Sequence, residues 1–560
     1  MMKKLLCTIL ALSACLLAGA AVPVERVYVS TDRNVYIAGD AIWCSLTILN
    51  GNGRFSNESA VSYLELISGD GTVCTAKIGL LEGRGAGSFR IPVTTPTGTY
   101  RLVAYTAVNA EEEGEPWMAG SRLLTIFNTT STARVTNGVE MVNEAAYEAL
   151  QQPEIAPEGA LQLSSRTRLA KGTATTLVLR NAGPKASVSL SVRHEDDLLP
   201  AEREYTPASF LKTLPKSLRL KPGANPVNEF DGEIVTARIK GTLMENVDGY
   251  AEATLSTAGD PSSVYVGRTE GKDLIRYYTS NIYGNREIVC EVSNLDKEGG
   301  YIDFESPFIR VDAGKLPPLR LSPSQRQDLV SRKAALRAEK ALRTDTLTSF
   351  MTHRKDLLLE SVDYRRYHLD DYTRFPSVRE ILVEFIPELS LKKTKDRWVM
   401  QLVVSDAVQS RFERTNNILV MMDGVILSDL NLLLDFDAML LEDVDLYMQP
   451  FVCGKIPFHG MVNFISKKNY VTALHFPANV RVVDFQGVSY PVAYNGAVPP
   501  GEGQDLRQLL YWHPILNLDA GSDYRLEFTT PGYAGRFKAV AEGFTEDGTP
   551  IYQEFSFEVE

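Results

Sequence analysis

Between residues 24 and about 130 the chain repeats one pattern: a short run of alternating apolar and polar residues, then Gly, Asn, Asp or Pro. The runs are RVYVSTD, AIWCSLTIL, VSYLELIS, TVCTAKI, GSFRIPV and GTYRLVAYTAV. A period of two places successive side chains on opposite faces of an extended strand, whereas a helix needs a period near 3.6. In GTYRLVAYTAV, Tyr100, Leu102 and Ala104 fall on one face. Cys44 is in phase with Ile42, Leu46 and Ile48, and Cys74 with Ala76 and Ile78. Both thiols should face a core, unpaired or, in an oxidising compartment, joined as a disulfide. Short strands punctuated by turns at this spacing predict an immunoglobulin-like sandwich over residues 24–132.

A chain of 560 residues exceeds what one core usually supports, so several domains are expected. Strand patterns continue in residues 160–228 (TATTLVLRN, ASVSLSVRH) and 230–316 (EIVTARIKGTLM, AEATLSTAG, REIVCEVSN, GYIDFESPFI), read as two further sandwich-like modules. At Ser322 the texture changes. Ser322 as cap, Pro323 at the first helical position and Gln325 three residues after the cap open a helical spacer over residues 322–360. Alternation returns in residues 508–560, at Tyr524, Leu526 and Phe528 and at Phe555, Phe557 and Val559, predicting a closing sandwich. The expected class is mostly β with an α+β part: serial sandwiches, a helical spacer and an α+β domain at residues 372–470. The net charge of −12 argues against a nucleic-acid partner and supplies no basic membrane patch.

Lys3 and Lys4, the apolar run Leu5 to Leu17 and the small-x-small site Ala18-Gly19-Ala20 read as an export signal over residues 1–20. Leu12-Ser13-Ala14-Cys15 offers a second reading, a lipoprotein box that would leave a lipid anchor on Cys15, although the apolar LLAGAAV follows instead of a polar tether. No later stretch reaches the roughly 18 consecutive apolar residues of a membrane helix. An extracytoplasmic location, periplasmic or outer-membrane-associated, is expected.

Three segments carry family resemblances. RVYVSTDRNVYIAGDAIWCSLTIL, followed by PTGTYRLVAYT, resembles a macroglobulin (MG2-like) domain, with Thr31, Asp32, Tyr36, Gly39 and Asp40 at the pattern positions. FPSVREILVEFIPELSL, NILVMMDGVILSDLNLLL, EDVDLYM and GMVNFISKK are similar to the plug domain of TonB-dependent receptors, with Asp423-Gly424 as its turn. Too little chain follows Lys468 for a receptor barrel, so transport is not implied. The C-terminal segment containing Trp512 and Pro514 looks like an alpha-macroglobulin module, but no cysteine begins a Cys-x-Glu-Gln thioester motif.

The stretch Asn417 to Gln449 carries Asp423, Asp429, Asp435, Asp437, Glu442, Asp443 and Asp445. Read as an EF-hand from Asp435, it places Leu440 where Gly belongs and Leu446 where the closing Glu belongs, so the acids are expected to serve as turns and caps. His194-Glu195-Asp196-Asp197 is the best-looking ligand cluster, yet Leu198 stands where HExxH needs its second His, and a solvated loop is expected. His353, His368, His459, His475 and His513 are isolated. GEGQDLRQLL (Gly501 to Leu510) lacks the Lys of a phosphate cradle. DYRRYHLDDYTRF (Asp363 to Phe375) reads as a linker or a recognition strip.

No catalytic, cofactor-binding or metal residue is therefore assigned. The expected work is non-enzymatic binding or scaffolding in a Gram-negative cell envelope, with an envelope or outer-membrane protein as partner. One rival is a thioester-independent protease trap, with NAEEEGEPWMAG (Asn109 to Gly120) as its bait; another is a hydrolase with a dispersed site.

Overall fold

The computed structural model describes residues 24–130, 138–150, 155–201, 205–215, 217–242, 253–271, 273–280, 282–292, 294–295, 300–342, 348–349, 363–395, 398–406, 411–453, 456–494 and 505–560. The export segment, Cys15, His353 and residues 501–504 lie outside these. The chain is mostly β with an α+β part. It divides into one compact unit of Met1–Phe230, Phe308–Met351 and Ser489–Glu560, and another of Asp231–Pro307 and Thr352–Val488.

In the first unit, eight strands between Glu25–Thr31 and Arg122–Phe127 form one sheet folded over on itself. Its core holds Ile42, Cys44, Leu46 and Ile48 with Tyr100, Leu102 and Ala104, the faces that the alternation picks out. The other face of Gly98–Tyr105 is also buried: Val103 and Tyr105 pack with Val311, Ala313 and Leu316. The pattern residues have visible tasks. Asp32 accepts from the Tyr36 hydroxyl at 2.8 Å and the Trp43 amide at 3.1 Å, and Asp40 accepts from the Ile37 amide at 2.8 Å. Gly39, at φ +99°, lets the chain reverse between them.

The segments 160–228 and 508–560, expected as two modules, share one sandwich. Ala174–Asn181 lies between Leu161–Ser164 and Asp523–Thr529 in a three-stranded sheet. Ala186–Glu195 lies between Leu509–Leu518 and Gly535–Thr545 in a five-stranded one. Leu177, Leu179, Val188 and Leu190 meet Leu516, Leu526, Phe537 and Phe557 in one core. The physical reason is coverage: two long strands expose an apolar face that they cannot bury alone.

The expected spacer 322–360 is a docked helix only over Arg326–Leu342, entered through the predicted cap, with the Ser322 amide on Gln325 Oε1 at 3.1 Å. Thr348–Ser349 is instead a strand paired with Val492–Ala493, and the rest of the span lies outside the described residues. Arg332 donates to the Val35 carbonyl at 2.6 Å and Lys333 to the Thr129 carbonyl at 2.7 Å. On this helix the Glu339 carboxyl is pushed up to about 7 by burial. Burial dominates; Arg33 opposes it, and Asp40 and Asp32 add to it.

In the second unit a seven-stranded sheet runs from Tyr301–Phe304 at one edge to Val480–Gln486 at the other. Ile302 and Val483, from these two edges, join the same core around Leu255, Tyr277 and Cys290. The expected module 230–316 therefore borrows a strand from beyond residue 470 and releases its tail, from Phe308, to the first unit. The other layer has Val378–Glu384 as helix and the strand Ile418–Met422 parallel to Gly460–Ser466, with Leu441–Tyr447 antiparallel beside the latter.

Candidate functional site

Ala186–Glu195 alternates with a period of two. Val188, Leu190 and Val192 enter the sandwich core, so Ser189, Ser191, Arg193 and Glu195 share the opposite face. Cross-strand register aligns that face in rows: Ser189, Glu542 and Tyr552; Ser191, Val540 and Glu554; Arg193, Lys538 and Ser556; Glu195, Arg536 and Glu558.

One end of this face is closed. Glu542 is 4 % exposed and accepts from the Tyr28 hydroxyl at 2.8 Å, from Ser30 and from Arg122 at 3.3 Å. Tyr205 stacks on Tyr28 at 5.2 Å, and the Arg122 guanidinium lies 5.0 Å from the Tyr205 ring centre. Burial, then the Glu542 charge, pushes the Tyr28 phenol far up, so it remains a donor. A buried carboxylate held this way fixes how the strand Glu25–Thr31 lies across the sheet.

The other end opens as a cleft of about 810 Å³, walled by this face, by Arg33, Asn34 and Val35, and by Leu198, Leu199 and Pro200. His194-Glu195-Asp196-Asp197 lines it, but not as a ligand cluster. Strand alternation sends His194 the other way, against Tyr533 at 5.6 Å and Phe537 at 5.2 Å, and burial lowers its pKa toward the neutral form. Each acid has its own cation. Glu195 pairs with Lys538 at 2.9 Å, and Asp197 with Arg536 at 2.6 Å. Asp196 pairs with Arg332; burial works to raise its carboxyl, and the guanidinium outweighs that and holds it low. Lys538 also reaches Glu554 at 2.8 Å, and these two carboxylates overcome burial to raise its pKa. The loop expected to be solvated is a lattice of ion pairs. Sequence reasoning passed over Arg193, Arg536 and Lys538; the S-x-S-x-R-x-E alternation was the signal that put Arg193 and Glu195 on the serine face.

The acids of Asn417–Gln449 are placed one by one. Asp423 (φ +49°) and Gly424 (φ +80°) form a turn of the kind that joins hairpins, between Ile418–Met422 and Val425–Ile426. Asp423 accepts from the Ser466 amide at 2.6 Å, the Ser466 hydroxyl at 2.7 Å and the Val471 amide at 3.1 Å. A Cβ on Gly424 would lie 2.1 Å from the Ser262 Cβ, so glycine is required there twice over. Asp429 caps the helix Leu430–Leu434, Asp435 ends it, and Asp437 caps Ala438–Leu440. Asp443 meets His368 at 2.8 Å, and Asp445 takes Arg366 through two bonds of 2.7 Å; Glu442 is exposed. Among the described residues, no group of three or more His, Cys, Asp or Glu is placed to share a metal ion.

Arg366 and His368 belong to Arg365–His368, so the strip DYRRYHLDDYTRF is partly an edge strand. Cys44 and Cys74 are separate free thiols, which sets aside the Cys44–Cys74 disulfide. Burial raises the Cys44 thiol to about 12, so it stays protonated. The bait candidate is tied down. Asn109 and Trp117 are buried, and Glu112 holds Arg26 through bonds of 2.7 and 2.6 Å, leaving Glu113 to Glu115 as an exposed tip.

No family model matches the sequence, and no curated protein does. Among solved structures, Salmonella alpha-2-macroglobulin reacted with methylamine is 10% identical over 97% of this chain and 40% of that one, with a TM-score of 0.24. Trypsin-activated alpha-2-macroglobulin from Escherichia coli is 9% identical over 96% and 42%, at 0.23. The Escherichia coli adhesin FdeC is 11% identical over 51% and 66%, at 0.16. The chain thus spans about 40% of the length of the Salmonella structure. Likenesses this loose carry no functional inference, and the β-sandwich class rests on the strand pairing itself.

Proposed function

We propose that this chain is a non-enzymatic binding or scaffold protein of a Gram-negative cell envelope, exported to the periplasm or held at the outer membrane. Its partner would be an envelope or outer-membrane protein. Residues 372–470 would act as a plug-like module used without a barrel, and the first sandwich as a macroglobulin-like one. The observation that carries this reading is the cleft lining, where Glu195, Asp196, Asp197 and Glu554 are each engaged by a cation. Carboxylates neutralised in place are poor general bases and good rigid walls. The N-terminal export pattern supports the location, and among the described residues no helix is long and apolar enough to cross a membrane. Affinity capture of the tagged full chain from solubilised Gram-negative envelope tests the proposal. One envelope protein should be retained and should rebind when purified. Turnover of ester, peptide or glycoside substrates by the pure chain would sink the non-enzymatic reading.

A further inference from the structure

We infer that the open end of the sheet face binds a carboxylate of a short peptide segment, seated on the Arg193 guanidinium. This rests on the binding reading above and narrows it to one site and one chemistry.

Arg193 and Lys538 stand directly opposite each other on adjacent strands. Like charges so placed repel unless anions compensate them. Lys538 is compensated by Glu195 and Glu554. Arg193 is not: its partners are the Asp32 carbonyl and the Ser191 hydroxyl at 3.1 Å, both through Nη1, and it makes no ion pair among the described residues. The nearby acids cannot serve it, since Asp196 and Asp197 are held by Arg332 and Arg536. One row-mate, Ser556, is exposed, and its hydroxyl has no partner among the described residues. A planar guanidinium with spare donors beside a free hydroxyl suits a carboxylate.

The surroundings favour a peptide as the source. A cleft of about 810 Å³ is within the range that holds small ligands. Its walls alternate cations and anions, which match amide donors and acceptors. Half-buried Pro200 adds apolar surface for a side chain, backed by the buried Leu198 and Leu199.

Isothermal titration of the full chain with the acetylated tripeptide Leu-Ala-Glu, its diamide and a trimeric galacturonate tests the inference. The acid peptide should bind in the millimolar range or tighter. The diamide should bind about tenfold more weakly, because the charge-assisted bonds are gone. Arg193→Gln should weaken the acid peptide about tenfold, Arg193→Lys less, and Arg180→Gln, outside the cleft, not at all. If Arg193→Gln fails to fold, the acid–diamide comparison on the unaltered chain decides alone. No binding of the acid peptide, equal binding of acid and diamide, or binding of the galacturonate alone would overturn the inference. Capture of an envelope partner undiminished by Arg193→Gln would also overturn it while leaving the broader binding proposal standing.

Discussion

On the sheet face of the second sandwich, Glu195 and Glu554 share one lysine, and Asp196 and Asp197 each hold an arginine around a single cleft. In the stretch Asn417–Gln449, seven acids go to a turn, two caps, a helix end, two strand partners and one exposed position, Glu442. The difference lies in what the backbone does beneath them. A strand end followed by a short loop keeps its acids beside one surface, whereas turn, helix and strand in succession point theirs apart. Acid density in sequence therefore says little about convergence; the geometry of the carrying element decides it.

The largest expected effect tests whether the closed end of the sheet face is the anchor of the cleft. Glu542→Ala removes the carboxylate partner of buried Arg122 and the acceptor of the Tyr28 hydroxyl, and leaves the Ser30 hydroxyl with Ser189 alone. A loss of about 3–5 kcal/mol is expected on breaking a buried pair from one side. Denaturant unfolding measures it, and a loss below about 1 kcal/mol would reduce this end to passive packing.

A middle effect separates the two regions by pH. The Glu339 carboxyl is raised above its unfolded value, so the folded form favours the proton. The stabilising share is full below about pH 4.5 and is lost as pH rises to about 7. Glu339→Gln should flatten that slope and gain roughly 2 kcal/mol over the unaltered chain at pH 8. The same helix carries Arg332, the partner of Asp196. Hydrogen exchange should therefore show the slope at Asp196–Leu198 and not at Leu441–Tyr447. Equal pH sensitivity in both would break the contrast.

The smallest effect concerns the acids that look most like a calcium loop. Asp435→Asn, Asp437→Asn and Glu442→Gln together should change stability by less than about 0.5 kcal/mol, since Asn caps nearly as well as Asp. Titration with calcium or zinc should give the same heat before and after. A stoichiometric ion lost with the triple substitution would turn this stretch into a site after all.

Local chemistry was legible and distant pairing was not. Asp423-Gly424, the Ser322 cap and the core face of Tyr100, Leu102 and Ala104 each follow from a few neighbouring residues, because turn, cap and period are local constraints. That Ala186–Glu195 pairs with Leu509–Leu518 is not written in either strand, since alternation specifies a face and not a neighbour. The same holds for the cleft. His194 to Asp197 could be read as a cluster, but Arg332, Arg536 and Lys538 arrive from segments that sequence spacing does not connect, and Arg193 acquires its interest only from a cross-strand row that holds no acid.

The split sandwich sets a timetable for the chain. Ala186 has to find Leu518 and Thr545, so Ala174–Asn181 and Ala186–Glu195 are made long before the strands that cover them. At about 5–20 residues per second, the delay during synthesis is on the order of tens of seconds. Through that interval Leu177, Leu179, Val188, Leu190 and Val192 form an uncovered apolar surface with strand edges that can pair with another chain. Holding these early strands apart until the last ones arrive is work for a holdase.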